Sequence, residues 1–96
     1  MFVVITYDVN TETSEGRRRL RQVSKQCQNF GQRVQNSVFE CLFDYGTFLK
    51  LKKSLEEIID KDTDSLRFYQ LGKKWESKVE HIGAKPGYNP EGPIIL

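Results

Sequence analysis

The sequence predicts an α+β domain in the order strand, helix, strand, strand, helix, strand, with one antiparallel sheet and both helices on one of its faces. Three observations carry that expectation. The chain opens on an unbroken apolar and β-branched run from Met1 to Asn10, the pattern of a strand at the centre of a sheet. Two later segments, one following Ser14 and one following Thr47, repeat apolar residues at helical spacing. Between them, residues 32–44 read as extended but change which parity is apolar, so that stretch folds back or bends sharply.

In the first strand the exception is Asp8, one carboxylate delivered where a central strand leaves the sheet. In sheets packed with helices this C-terminal edge is where ligands and chemistry gather. Capping of a turn, with the carboxylate accepting from backbone two residues on, is the plain alternative.

Ser14 is the expected N-cap of the first helix, with Glu15 favourable in its first turn and Gly31 a left-handed stop after Phe30. Leu20, Val23, Cys27 and Phe30 form its apolar face. Arg17, Arg21 and Lys25 form a basic stripe at i, i+4 and i+8, with Arg18 and Arg19 beside it. Such a stripe is ordinarily a solvated face, but this one begins one loop after Asp8, where both features could serve the same anionic ligand.

Val34 and Val38 share one face of the next segment, whereas Phe39, Cys41 and Phe43 take the other parity. A turn or bulge near Ser37 to Phe39 is expected, giving either a short hairpin or one bent strand. Arg33 and Gln35 project from its polar side, an arrangement that also serves to protect a sheet edge. Thr47 is the expected N-cap of the second helix, whose apolar positions are Phe48, Leu51, Leu55, Ile58 and Ile59. Asp60-Lys61-Asp62-Thr63-Asp64 reads as a solvated turn, because the EF-hand spacing and its closing Glu are missing. Residues 65–71 form a strand closing at Gly72.

Counting the bent segment as two strands gives βαββαβ, the ferredoxin-like arrangement, which leaves one sheet face for solvent or a partner. Residues 1–72 are expected to form this core, and residues 73–96 a C-terminal strand at Lys78–Ile82 followed by an extended tail. Proline and glycine forbid regular structure in the tail. Its closing Ile94-Ile95-Leu96 would bury usefully on a second subunit, at about 1.5 to 3 kcal/mol for each side chain fully covered.

Ninety-six residues make one domain with a marginal core, so a dimer is expected on size alone. The net charge of +2 does not by itself argue for nucleic acid. Cys27 and Cys41 lack the spacing of a zinc site or redox pair and read as reduced, partly buried thiols. No basic segment leads into a cleavable apolar stretch and no apolar run approaches membrane-spanning length, which points to the cytoplasm and no membrane partner. His81, the single histidine, lies in the fifth extended segment and reads as an interface residue. Nucleophile and base pairs, phosphate-binding glycine loops and the signature of an aromatic RNA-binding platform are all missing.

Tyr7-Asp8-Val9 after an apolar strand, the arginines of 17–21, Gly31 followed by Arg33-Val34-Gln35-Asn36-Ser37-Val38-Phe39-Glu40, and Glu80-His81-Ile82-Gly83-Ala84-Lys85-Pro86 together resemble the Cas-two family, the small CRISPR-associated nuclease of the adaptation machinery. The resemblance runs essentially end to end, and the tail is similar to that of the type I-C branch. It implies a homodimer in which the last strand of each subunit adds to the other's sheet. It also implies metal-dependent endonuclease activity on double-stranded DNA or single-stranded RNA, and a role with the CRISPR integrase in capturing new spacers. Residue by residue, it places the catalytic and metal-binding aspartate on Asp8 beside Tyr7. The nucleic-acid-binding arginines of helix one fall on Arg17 and Arg19, with Arg18 an equal alternative, and the strand arginine and aromatic on Arg33 and Phe39.

Mg2+, with Mn2+ able to substitute, takes six oxygens and commonly one or two carboxylates, yet one chain offers only Asp8. Two-fold symmetry supplies a second, and a shared cation is what lets two close carboxylates both stay ionised. A rival reading keeps the basic surface and drops the chemistry, leaving a dimeric DNA-binding scaffold of the integration complex. A toxin-like ribonuclease on the same fold is a third.

Overall fold

In the computed structural model, which describes residues 1–83, the chain forms β1 (Phe2–Asp8), α1 (Ser14–Phe30), β2 (Gly31–Gln35), β3 (Val38–Leu42), α2 (Tyr45–Ile58), β4 (Ser65–Gln70) and a 3-10 turn at Trp75–Ser77. The sheet order is β2-β3-β1-β4 and every neighbouring pair is antiparallel. This is the ferredoxin-like arrangement, with the most apolar strand inside the sheet because only that position covers it from both edges. No helix among the described residues is long and apolar enough to cross a membrane.

Strand alternation sorts β1 into two faces. Val3, Ile5 and Tyr7 point to the helices and pack with Phe39 and Cys41 of β3, Val23 and Cys27 of α1, and Phe48, Leu51 and Leu55 of α2. Phe2, Val4, Thr6 and Asp8 take the opposite face. Phe2 is buried there because the chain after β4 returns and stacks Trp75 on it, with ring centroids 4.4 Å apart. Val4 and Thr6 are only half-buried and Asp8 is exposed, so the two-sided cover expected for this strand is incomplete in a single chain.

The bent segment is a hairpin that also contains a bulge. Asn36 and Ser37 connect β2 to β3, and the register slips between Arg33, which pairs with Phe39, and Gln35, which pairs with Val38. The change of apolar parity lies elsewhere, inside the regular β3, where Phe39 and Cys41 face the core and Val38 faces the open side of the sheet.

Three local expectations are corrected. Thr13, not Ser14, caps α1, its Oγ1 accepting from the Gly16 N–H at 3.0 Å. Asp44, not Thr47, caps α2, its Oδ1 accepting from the Thr47 N–H at 2.7 Å; a carboxylate at that end also meets the favourable helix dipole. Gly31 is no left-handed stop, since its φ of −157° is extended and it begins β2. Glycine is needed there for room: a Cβ would overlap Cys41 Sγ and lie 2.6 Å from the Glu40 carbonyl oxygen. The strand expected at Lys78–Ile82 is one that pairs with a second subunit; in the single chain these residues form no strand, and Ile82 stands 86 % exposed. The extended tail from 84 to 96 lies outside the described residues.

Candidate nucleic-acid groove and strand-end carboxylate

Asp8 is held where the sheet holds it. It is the last residue of β1, opposite Ser65 in the β4 register, and its carboxylate is exposed with no hydrogen-bond or ion-pair partner among the described residues. On the open face it borders a shallow depression of about 320 Å³ with Thr6, Ser65, Arg67 and Tyr69. Toward the helices it borders a groove of about 830 Å³ between α1 and the tip of the β2–β3 hairpin. Arg21, Ser24 and Lys25 of α1 line one wall of that groove, and Arg33, Asn36 and Ser37 the other.

The groove is built by the residues that α1 and the hairpin expose. Two of the three stripe cations, Arg21 and Lys25, lie one helical turn apart on its wall. Arg33 faces them from β2, its guanidinium carbon 5.3 Å from the centre of the Phe39 ring and its Nη2 donating to Ser24 Oγ. Stacking on a ring and bonding to a hydroxyl hold the fork in place while leaving other N–H groups for an anion.

Tyr7 and Phe39 support this site from below. The Tyr7 hydroxyl donates to the Asn36 carbonyl at 3.2 Å, its backbone N–H donates to the Ser37 carbonyl at 3.1 Å, and its ring lies 6.1 Å from that of Phe39. Both rings are buried, so they fix the hairpin tip against the end of β1 and leave ligand contact to their neighbours.

The helix-one arginines part company. Arg17 is exposed, and its Nη1 donates to the Thr11 carbonyl at 3.3 Å, over the loop that follows Asp8. Arg18 is exposed with no partner among the described residues. Arg19 turns inward, its Nε 2.8 Å from Oδ2 of Asp64, whose side chain has no exposed surface.

Asp64 is the residue that sequence reading missed, since it belongs to a segment taken for a solvated turn. Burial alone would raise its carboxyl, but bonds from Arg19, from the Asp60 and Asn10 N–H groups and from Thr63 outweigh that and lower it to about 2. Its bonds from Asp60 and Thr63 are local and look like those of any turn, whereas the two that tie it to the site, from Arg19 and Asn10, come from 45 and 54 residues away. Gly16 was the nearer clue: a glycine in the first turn of a helix leaves room for a close approach, here by the Asn10 carbonyl.

A cation has a limited donor set here. No group of three or more His, Cys, Asp or Glu side chains able to hold a metal occurs among the described residues. The Asp8 carboxylate, a hard oxygen donor open to solvent, fits Mg2+ as one ligand and leaves the others to water, phosphate or a second copy of itself.

Known proteins share this sequence and shape. The family described as CRISPR associated protein Cas2 matches residues 1–79. The CRISPR-associated endoribonuclease Cas2 of Nitratidesulfovibrio vulgaris is 57 % identical over 96 residues, covering 100 % of this chain and 94 % of its own. The CRISPR-associated endonuclease Cas2 of Halalkalibacterium halodurans is 56 % identical over the whole of both chains, 96 residues. The crystal structure of Streptococcus pyogenes Cas2 at pH 6.5 superposes with a TM-score of 0.75 at 58 % identity, covering 86 % of this chain and 100 % of that one. Fold, motif segments and end-to-end identity agree, and the chain belongs to the CRISPR associated protein Cas2 family.

Proposed function

We propose that this protein is a CRISPR-associated endonuclease that cleaves phosphodiester bonds as a homodimer, with two Asp8 carboxylates sharing a divalent cation and the α1–hairpin groove holding the nucleic-acid backbone. The observation that carries the reading is the placement of one exposed, unpartnered carboxylate at the mouth of a groove lined by Arg21, Lys25 and Arg33. Relatives named endoribonuclease and endonuclease support it.

The open sheet face supports pairing. Val4, Val38 and Leu42 are half-buried there and Tyr69 is 47 % exposed, with Thr6, Glu40 and Arg67 on the same face by register, a mixed apolar and polar surface that a second copy would cover. Asp8 takes that same face by strand parity, so a two-fold axis through it brings the two carboxylates together. The exposed Ile82 and the tail beyond it suit an exchange of C-terminal segments between subunits.

Mg2+, or Mn2+ in its place, supplies Lewis-acid polarisation of the phosphodiester and a more acidic water when bound. Asp8 would hold it and set its position. Arg33, Arg21 and Lys25 would grip phosphate oxygens, which fixes the strand without reading bases, and Tyr7 and Phe39 keep the hairpin wall rigid. Little sequence preference is expected. Family membership supports a place beside the CRISPR integrase in spacer acquisition.

A second reading, a DNA-binding scaffold without cleavage, is favoured by one observation: among the described residues no second carboxylate and no histidine borders Asp8 in either depression, which leaves only Tyr and Lys side chains to move a proton there. Incubating the protein and Asp8→Ala with duplex DNA and with single-stranded RNA, in Mg2+, Mn2+ or EDTA, separates the two. Metal-dependent cleavage by the wild type that falls about 100-fold or more in the variant supports the nuclease. Binding equal in both proteins with no cleavage supports the scaffold.

A further inference from the structure

The loop after Asp8 is held from two sides. Asp64 Oδ1 accepts from the Asn10 backbone N–H at 3.0 Å, while the Asn10 carbonyl lies against Gly16 so closely that a Cβ there would overlap it. Asn10 Oδ1 in turn accepts from the Glu12 N–H at 2.9 Å. Asp64 also stands immediately before Ser65, the residue opposite Asp8 in the β1–β4 register. One carboxylate therefore grips the chain just beyond Asp8 and anchors the start of the strand beside it.

The carboxylate is fully engaged. Arg19 donates from Nε to Oδ2 at 2.8 Å and from Nη2 to Oδ1 at 3.4 Å, the Asp60 N–H donates at 2.9 Å, and the Thr63 hydroxyl donates at 3.2 Å. With these and the Asn10 N–H, five donors meet two oxygens, which leaves no room for a ligand. Arg19, spending Nε and Nη2 on Asp64, has lost the side-on fork that phosphate recognition uses.

We propose that Arg19 and Asp64 form a positioning pair that fixes the Asp8 end of β1, and that Arg19 is not a nucleic-acid contact. This rests on the reading of Asp8 as the carboxylate at the reaction centre. The energetic reason for the pair is that a buried carboxylate needs a full set of donors, and here the donors come from α1, from the loop after β1 and from the α2–β4 loop together. Satisfying one charge thus locks three segments in register around Asp8.

The test compares Arg19→Gln and Asp64→Asn with wild type, and with Cys41→Ala as a control for lost stability. Cys41 pairs with Val3, at the opposite end of β1 from Asp8. Three quantities are read well below each variant's melting temperature: hydrogen exchange of the Asn10 and Glu12 amides, the salt dependence of binding to duplex DNA and single-stranded RNA, and kcat beside KM. Both variants are expected to speed exchange at those amides and to lower kcat, each by about tenfold or more, the scale of one lost charge-assisted bond. KM and the salt slope stay as in wild type, and Cys41→Ala keeps its kcat. A salt slope that drops by about 0.7 to 0.9 in Arg19→Gln, with exchange unchanged, makes Arg19 a phosphate contact and overturns the proposal. Equal loss of kcat in Cys41→Ala overturns it too, by making stability the cause. Absence of cleavage by wild type sinks the nuclease reading alone, because exchange and salt slope still decide whether Arg19 clamps or contacts.

Discussion

Gly16→Ala isolates how closely the loop after Asp8 approaches α1. Replacing glycine by alanine within a helix ordinarily gains up to about 1 kcal/mol from lower chain entropy. At Gly16 the new methyl would overlap the Asn10 carbonyl oxygen and lie 3.0 Å from its carbon, and backbone cannot swing aside as a side chain can. Moving it strains the Asn10 N–H bond to Asp64, so overpacking should cost about 1 to 3 kcal/mol and win over propensity. A net loss on the order of 1 to 2 kcal/mol lowers the melting temperature by about 5 to 10 °C in a domain of this size. Gly46 is the built-in comparison. It also lies in a first helical turn, that of α2, yet a Cβ there meets only Asp44 Oδ1 at an ordinary 3.7 Å. Gly46→Ala should therefore raise the melting temperature by a few degrees, through its gain of up to about 1 kcal/mol. Thermal unfolding followed by circular dichroism measures both. A Gly16→Ala protein as stable as wild type, or more so, would refute the close-approach reasoning.

Other outcomes follow from the same geometry. Asp64 has its folded value lowered to about 2 from an ordinary 3.8, so its stabilisation is complete above the unfolded value and is lost as pH falls through the folded one. Urea midpoints measured from pH 5 down to pH 2 should fall more steeply for wild type than for Asp64→Asn; parallel curves would mean that the Asp64 carboxylate does not hold these bonds. Trp75 is the single tryptophan and is stacked on Phe2, so Phe2→Ala should red-shift its emission and lower stability by about 2 to 4 kcal/mol, read by fluorescence and denaturant titration. An unshifted spectrum would mean the ring does not rest there. Burial pushes the thiols of Cys27 and Cys41 up to about 12, so alkylation at pH 8 should be slower than that of a free thiol by about 100-fold or more until the protein is unfolded. Mass spectrometry of the timed reaction decides.

How far the sequence reached can be traced through particular residues. The apolar run ending in Asp8 identified the central strand and its exposed carboxylate, because a strand's faces follow from alternation within a few residues. The parity change between Val38 and Phe39 led to the expectation of a turn or bulge near Ser37 to Phe39. The turn is at Asn36-Ser37 and a bulge lies farther back, between Arg33 and Gln35, while Val38 and Phe39 are successive residues of a regular strand that face opposite sides. The helix caps were misplaced by one and three residues, since Thr13 and Ser14, or Asp44 and Thr47, are equally able to accept a backbone bond until a helix start is set by packing. The arginine cluster was visible as charge, but which of its members faces the groove was not.

Local patterning by itself determined the element order, the apolar faces, the stripe of cations and the single strand-end acid, all properties carried by neighbours in the chain. Only the tertiary structure decided that Arg21 and Lys25 meet Arg33 across a groove while Arg19 is drawn inward by Asp64. The physical reason is that a buried charge chooses its partners by distance in space. With Arg19 and Asp64 separated by 45 residues, no periodicity or spacing in the chain records the bond between them.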